Sequence, residues 1–287
     1  MIISRIHGGV GNQMFCYAMG RALSLRHGVS DFLIDYVHDS SLNDTRYFAL
    51  DQFDCPTLKE ANSQQIKSLN LIKEKNFSFD KEMLNIKSGY LQGYWQSYKY
   101  FEDFKIDIIR DFQLGQRFLN KRILSILNEI KNSPNSVAIH FRRGDYLNSS
   151  HKIHGILPVN YYFEALNTIK RNIKNITKPI FRIFLFSDDI DTIKKEFYGS
   201  NLNIEYVSNV FEHDSRGNAI TKDTSYEDLY LMSQCEHNII ANSSYSWWGA
   251  YLNRNPYKIV ISPKQWFADK NMNSKTEDLI PKEWFRI

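Results

Sequence analysis

The sequence has little of what would mark a secreted, membrane-spanning or nucleic-acid-binding chain. Its three cysteines, Cys16, Cys55 and Cys235, are odd in number and far apart in 287 residues. They make neither a disulfide framework nor a metal-ligand spacing, and they fit a reducing compartment. No apolar run approaches the ~20 residues that a membrane span requires. The start, Met1-Ile2-Ile3-Ser4-Arg5-Ile6-His7, lacks a basic stretch followed by a long apolar core and reads as a strand entering the fold directly. Charge of one sign is not in excess either: 36 Lys+Arg against 32 Asp+Glu leave +4. That balance, without a basic–aromatic sheet motif, argues against a nucleic-acid partner. Repeats and low-complexity segments are missing too. The expectation is a cytoplasmic protein. A peripheral membrane contact stays open through Lys121, Arg122, Lys170 and Arg171 on expected helices, although solvated helix faces are the simpler account.

What is present is globular. Hydrophobic residues at 43% and charged residues at 24% sit near the average for folded domains. At about 150 residues per domain, the length fits two domains or one large one. The unusual figure is 14% aromatic, with 17 Tyr, 19 Phe and 5 Trp. Such rings can stack on sugars or bases, and they can equally be ordinary core.

Element patterns divide the chain. A strand over 2–7 runs through a glycine-rich turn into a helix over about 12–27, and Phe32-Leu33-Ile34 reads as a second strand. Residues 37–90 are irregular, with a helix near 58–69. The alternation in 89–97 gives a strand leading to a helix from about Tyr98, and another helix covers roughly 116–131. The breaker cluster Asn132-Ser133-Pro134-Asn135 then marks an expected domain boundary. Beyond it, strands at 136–141, 180–186, 203–207, 238–241 and 257–261 alternate with helices at 158–173, 190–197, from 225, and at 244–253. Ser225-Tyr226-Glu227-Asp228 resembles a capping box. This order argues for a doubly wound parallel sheet, whose ligands bind at the carboxyl ends of the strands. The expected division is 1–133, 134–263, and a tail over 264–287 packed back on the body.

Four motifs fall at expected strand ends. His140-Phe141-Arg142-Arg143-Gly144-Asp145 places two guanidinium forks, matched to phosphate oxygens, beside an acid, although a surface ion pair explains it equally well. Asn242-Ser243-Ser244-Tyr245 opens a helix whose free N–H groups and hydroxyls suit an anion, with a plain N-cap as the simpler reading. Asp188 and Asp189 could accept from a guanine or ribose edge, hold Mg²⁺, or cap the next helix. Gly8-Gly9-Val10-Gly11-Asn12-Gln13 lets backbones approach closely but matches neither a Walker A motif nor GxGxxG.

Taken together, and in their order and spacing, these stretches resemble the bacterial α-1,2-fucosyltransferases of glycosyltransferase family 11. The matching segments are GGVGNQMFCYA at 8–18, GYWQSYKYF at 93–101, HFRRGDY at 140–146, LFSDD at 185–189 and ANSSYSWWGAYL at 241–252. The resemblance implies an α/β fold of the GT-B type, two Rossmann-like lobes facing a central cleft. It also implies transfer of L-fucose from GDP-L-fucose to a galactose 2-hydroxyl with inversion. The first lobe is then mainly on the acceptor side and the second binds the donor.

By the same resemblance, Arg142 is the diphosphate ligand, while His140 and Arg143 orient the donor or neighbouring side chains. Asp189 or Asp188 contacts the guanosine, and Asn242, Ser243, Ser244 and Tyr245 form the phosphate cradle. Gly9, Asn12, Gln13 and Trp95 line the cleft on the acceptor side. Asp145 and His154 are the two candidates for general base. No metal or other cofactor is expected, because Arg142 can compensate the charge on the leaving diphosphate. Expected partners are GDP-fucose and a galactose-terminated oligosaccharide or lipid-linked glycan, such as an O-antigen repeat, met in the cytoplasm or at the inner membrane. Another nucleotide sugar as donor, or a non-catalytic nucleotide-sugar or glycan-binding protein, are the alternatives.

Overall fold

The segment Ile2–Ile6 forms strand β1 with a neighbour on either side, and Ile2, Ile3, Ser4 and Ile6 are buried, as residues on both faces of a central parallel strand must be. The computed structural model describes residues 1–36, 47–143, 154–173, 181–208, 211–213, 219–221 and 225–287. The chain divides into two units: Met1–Phe118 with Ser274–Pro281, and Leu119–Asn273 with Lys282–Ile287.

In the first unit, β1 leads to α1 (Val10–His27), β2 (Phe32–Tyr36), α2 (Ser63–Lys67), β3 (Leu71–Lys73), β4 (Gly89–Gln92) and α3 (Lys105–Asp111). The strands form one parallel sheet in the order β2-β1-β4-β3. Helix α1 lies so close to this sheet that a Cβ at Gly20 would stand 2.1 Å from Ser4 Oγ and 2.5 Å from the Phe32 ring. Two expectations shrink here. The helix near 58–69 is only α2, held by a reciprocal capping box between Asn62 and Gln65 and burying no residue. The helix from Tyr98 is two short 3₁₀ turns before α3. Strand β3 was not expected, because its three residues are half or fully exposed at the sheet edge and show no clear period.

The second unit contains α4 (Lys121–Lys131), β5 (Ser136–Phe141), α5 (Val159–Asn172), β6 (Arg182–Ser187), α6 (Ile190–Glu196) and β7 (Ile204–Tyr206). It continues with β8 (Phe211–His213), β9 (Ala219–Thr221), α7 (Ser225–Gln234), β10 (His237–Ile239), α8 (Ser244–Tyr251), β11 (Val260–Ser262), α9 (Lys270–Asn273) and β12 (Phe285–Arg286). Six strands form a parallel sheet in the order β12-β11-β10-β5-β6-β7, and β8 and β9 pair separately as an antiparallel ribbon. Val137, Ile139, Phe141, Ile183 and Leu185 meet Tyr162, Ala165 and Ile169 of α5 in one core.

The observed division falls after Phe118, where the sequence suggested a boundary after Ser133. Helix α4 is amphipathic and buries Ile123, Leu127 and Ile130, and its Arg122 pairs with residues of α7, so it belongs with the second unit. The 264–287 tail also splits. Residues 274–281 join the first unit, where Asp278 takes a hydrogen bond from Ser97 Oγ and an ion pair from Lys99, whereas β12 extends the second sheet beside β11. Among the described residues no helix is long and apolar enough to cross a membrane.

Candidate active site

From β5 the chain builds β6 and β7 to one side, then returns to lay β10 on the other flank of β5. The carboxyl ends of β5 and β10 therefore bound the crevice where a doubly wound sheet takes its ligand. Ile139 pairs with Ile239 in register, so His140–Arg143 and Asn242–Tyr245 leave neighbouring strands at the same end. Motifs a hundred residues apart in sequence thus meet.

Around β5 the two arginines separate. The Arg142 guanidinium pairs with Asp188 at 2.6 Å and is 31% exposed, so Asp188 steadies it while leaving it open to solvent. The same carboxylate accepts from the Arg143 backbone N–H at 2.8 Å. Arg143 itself turns inward. Its guanidinium makes two hydrogen bonds with Glu196 of α6 at 2.8 and 2.9 Å, and the side chain is buried. It therefore braces β5 against α6, rather than presenting a fork to a donor. Asp189 caps α6 by accepting from Thr192 N at 3.3 Å, so within the acid pair Asp188 orients Arg142 and Asp189 serves the helix. His140 is buried, with its ring centroid 5.2 Å from that of Tyr245, and among the described residues its Nδ1 has no hydrogen-bond partner. Burial, reinforced by the Arg142 charge, pushes it down to about 3 and keeps the imidazole neutral. Asp145 lies outside the described residues, as do Gly144 and Tyr146.

At β10, Ser243 is the extended N-cap residue of α8, and its hydroxyl does not bond back to the helix. Ser244 and Tyr245 form the first turn. Tyr245 also reaches back to donate its hydroxyl to Ser225 O at 2.5 Å. Asn242 acts differently. Its amide donates to the backbone oxygens of His154 at 2.8 Å and Trp266 at 3.2 Å, clamping two loops together. His154 stands beside Phe267, with ring centroids 5.5 Å apart.

One cluster escaped sequence reasoning. Arg122 pairs with Glu227 at 2.6 Å and Asp228 at 2.8 Å, and Ser208 donates to Asp228 at 2.7 Å. Ser208 in turn accepts from the Ser187 backbone N–H at the end of β6. Both acids are buried, and burial holds Asp228 above the usual carboxylate range. The Ser225-Tyr226-Glu227-Asp228 pattern signalled a helix start, but the Asp228 carboxylate is spent on Arg122 and Ser208. Arg122 is thereby withdrawn from any lipid contact, while Lys121, Lys170 and Arg171 are exposed.

The first unit repeats the arrangement. Its switch point lies between β1 and β4, whose ends carry His7-Gly8-Gly9 and Gly93-Tyr94-Trp95-Gln96. Gly8 adopts φ +76, a conformation that favours glycine, and Gly9 is the extended N-cap residue of α1. The rings of His7 and Tyr94 lie 4.5 Å apart, and Gln96 donates to Asn12 Oδ1 at 2.8 Å. Gly9, Asn12 and Tyr94 are half-buried and reach this crevice. Gln13 and Trp95 do not serve it as expected. Gln13 is fully buried and spends its amide on the backbone of Gly8, Tyr47 and Ala49. Trp95 is 1% exposed and packs edge-on against Tyr100, so it is core. Among the described residues, no group of three or more His, Cys, Asp and Glu is placed to hold a metal.

The sequence model for glycosyl transferase family 11 matches residues 4–287. The O-antigen biosynthesis glycosyltransferase WbnK of Escherichia coli is 33% identical, over 96% of this chain and 98% of that protein. An α-1,2-colitosyltransferase of Escherichia coli is 29% identical, over 100% and 99%. Among solved structures, fucosyltransferase NodZ from Bradyrhizobium aligns with a TM-score of 0.50 at 15% identity, over 86% of this chain and 91% of that one. With two Rossmann-like units and this neighbour, the fold is of the GT-B type.

Proposed function

The chain belongs to glycosyl transferase family 11, and on that premise we propose that it is a galactoside α-1,2-fucosyltransferase building a surface glycan such as an O-antigen repeat. It takes L-fucose from GDP-β-L-fucose and delivers it to the 2-hydroxyl of a terminal galactose. One observation carries this reading: Arg142 and the Ser243–Ser244 helix start stand on adjacent parallel strands at the switch point. A nucleoside diphosphate needs that pairing of a fixed guanidinium with helix N–H groups. The motif resemblance supports fucose as the sugar, and the likeness to WbnK supports an O-antigen setting.

The chemistry is one displacement. The acceptor hydroxyl attacks the anomeric carbon as the bond to GDP breaks, so a β-linked donor gives an α-linked product with no covalent enzyme intermediate. Negative charge grows on the β-phosphate as the bond lengthens. Arg142, already oriented by Asp188, stabilises that charge without a metal ion or a proton transfer. Arg143 and neutral His140 act behind it, the first by bracing β5 and the second by packing against Tyr245. Asp145 remains the first candidate for the base and His154 the second. The first unit takes the acceptor in the crevice formed by Gly9, Asn12 and Tyr94.

The second reading is a transferase using another nucleotide sugar, favoured by the likeness to the α-1,2-colitosyltransferase. Supplying GDP-fucose, GDP-mannose and UDP-galactose separately and measuring nucleotide release tests the pair. Turnover with GDP-fucose is expected. Turnover with a different donor alone would displace fucose from the assignment.

A further inference from the structure

Glu74, one residue past β3, is used by none of the roles above. Its carboxylate accepts from two consecutive backbone N–H groups, Tyr94 N on Oε2 at 2.7 Å and Trp95 N on Oε1 at 2.9 Å. Its own N–H donates to Gln92 O at 2.9 Å, so backbone and side chain both grip the turn that leaves β4. That turn needs gripping. Trp95 sits at φ +56, a left-handed conformation that a bulky residue keeps only when its surroundings impose it. Gly93 is equally constrained, because a Cβ there would lie 2.3 Å from the Cβ of Glu74. On either side of Trp95, Tyr94 reaches His7 and Gln96 reaches Asn12, the contacts that shape the first unit's crevice.

We propose that Glu74 is the positioning residue of the acceptor crevice: by chelating the two N–H groups it fixes the Gly93–Gln96 turn, and so sets Tyr94 and Gln96 against His7 and Asn12. This rests on the reading that the first unit takes the acceptor. The ionised carboxylate is the competent form, since a proton on either oxygen weakens it as an acceptor and adds an O–H donor where two N–H groups converge. Burial pushes Glu74 up to about 7, which brings the change within reach of ordinary buffers. The other titratable groups facing it are distinguishable. Burial raises both the Cys16 thiol and the Tyr100 hydroxyl to about 12, and Lys75 pairs with Asp80 at 3.8 Å across the same small cavity. His7, in the crevice itself, is pushed below its ordinary value by burial.

The test pairs kinetics with NMR of the full-length protein labelled with ¹⁵N-tryptophan. In the wild type, the Trp95 backbone amide should titrate with a midpoint near 7. In Glu74→Gln that transition should vanish while the other tryptophan amides, which report folding, stay in place. Glu74→Gln should raise the acceptor KM by about tenfold or more, the scale of a lost charge-assisted hydrogen bond. It should flatten the pH dependence of that KM and leave the KM for GDP-fucose within about twofold. Glu74→Asp, charged but one methylene shorter, should fall between the two. An unchanged acceptor KM in Glu74→Gln, or a loss shared equally by donor and acceptor, overturns the proposal. A wild type that consumes no GDP-fucose overturns the functional reading and the acceptor role with it; the Trp95 titration then still decides whether Glu74 holds the turn.

Discussion

Arg142 and Arg143 are adjacent, chemically identical and set to opposite roles, and their neighbours decide which is which. Asp188 holds Arg142 at the solvent edge, while Glu196 draws Arg143 into the body of the second unit. Arg142→Ala is therefore expected to cut kcat by at least about 100-fold, the cost of removing one transition-state donor. Circular dichroism should show the fold intact. Arg143→Ala should instead lower the denaturation midpoint, because Glu196 then loses its partner. A reversed pattern, with Arg143 carrying the rate, would reassign the donor site. His140 gives a pH prediction. Held neutral with a value of about 3, it stays uncharged from pH 4 upward, so His140→Phe should not move either limb of the pH–rate profile. A limb that disappears in that variant would show that the imidazole titrates in the working range. At this scale the sequence was half legible. Residue type and strand-end position singled out Arg142 and Ser243 as candidates, and the structure places both at the ends of neighbouring strands, while Asp188, expected against a guanosine, pairs with Arg142. Which way Arg143, Gln13 or Trp95 pointed was hidden, because a polar or aromatic side chain beside a turn can serve backbone, core or ligand equally well.

Elements that came out as expected are strongly buried: β5, β6 and most of α8 are buried almost continuously, and α5 buries one amphipathic face. Those missed are short or at edges: β3, the β8–β9 ribbon and β12 owe their existence to pairing with distant partners, which a local pattern cannot contain. The boundary at Ser133 failed for a related reason, since only the distant acids of α7 reveal where α4 belongs. That α4–α7 pairing can be tested. Arg122→Ala leaves Glu227 and Asp228 buried without their cation, a loss of about 3–5 kcal/mol for a broken buried pair. The sign of the pH effect follows from Asp228, whose folded value is raised by burial even against Arg122. Its contribution to stability is full below its ordinary value and declines as pH rises through the folded one. Without Arg122 that decline steepens. Urea denaturation should therefore find Arg122→Ala more damaging at pH 8 than at pH 4, and equal losses at both would refute the buried-charge account. In the first unit, Gly20→Ala should cost about 1–3 kcal/mol by forcing α1 away from Ser4 and Phe32. Adding Ser4→Ala should restore part of it.

For the molecule as a whole, near-neutral charge and abundant aromatics now have separate explanations. On the proposed reading, a neutral sugar acceptor needs no global field, and the positive charge offered to a nucleoside diphosphate is local to Arg142. Most of the aromatic excess is core: Trp247 and Trp248 are fully buried, and Trp247 stacks on Tyr251 and meets Trp284, while Tyr94 reaches a crevice. Both units arrive at the same solution, a parallel sheet whose strand order reverses next to its first strand, with candidate site residues at that reversal. The central claim is the proposed transfer of fucose to a galactose 2-hydroxyl. It is tested most directly by incubating the protein with GDP-fucose and a panel of galactose-terminated oligosaccharides, then reading the product linkage by NMR. The expected product is an α-fucoside on the galactose 2-hydroxyl, formed without added metal. Fucose attached at another position, a β-linked product, or no transfer from GDP-fucose beside turnover of another nucleotide sugar would contradict it.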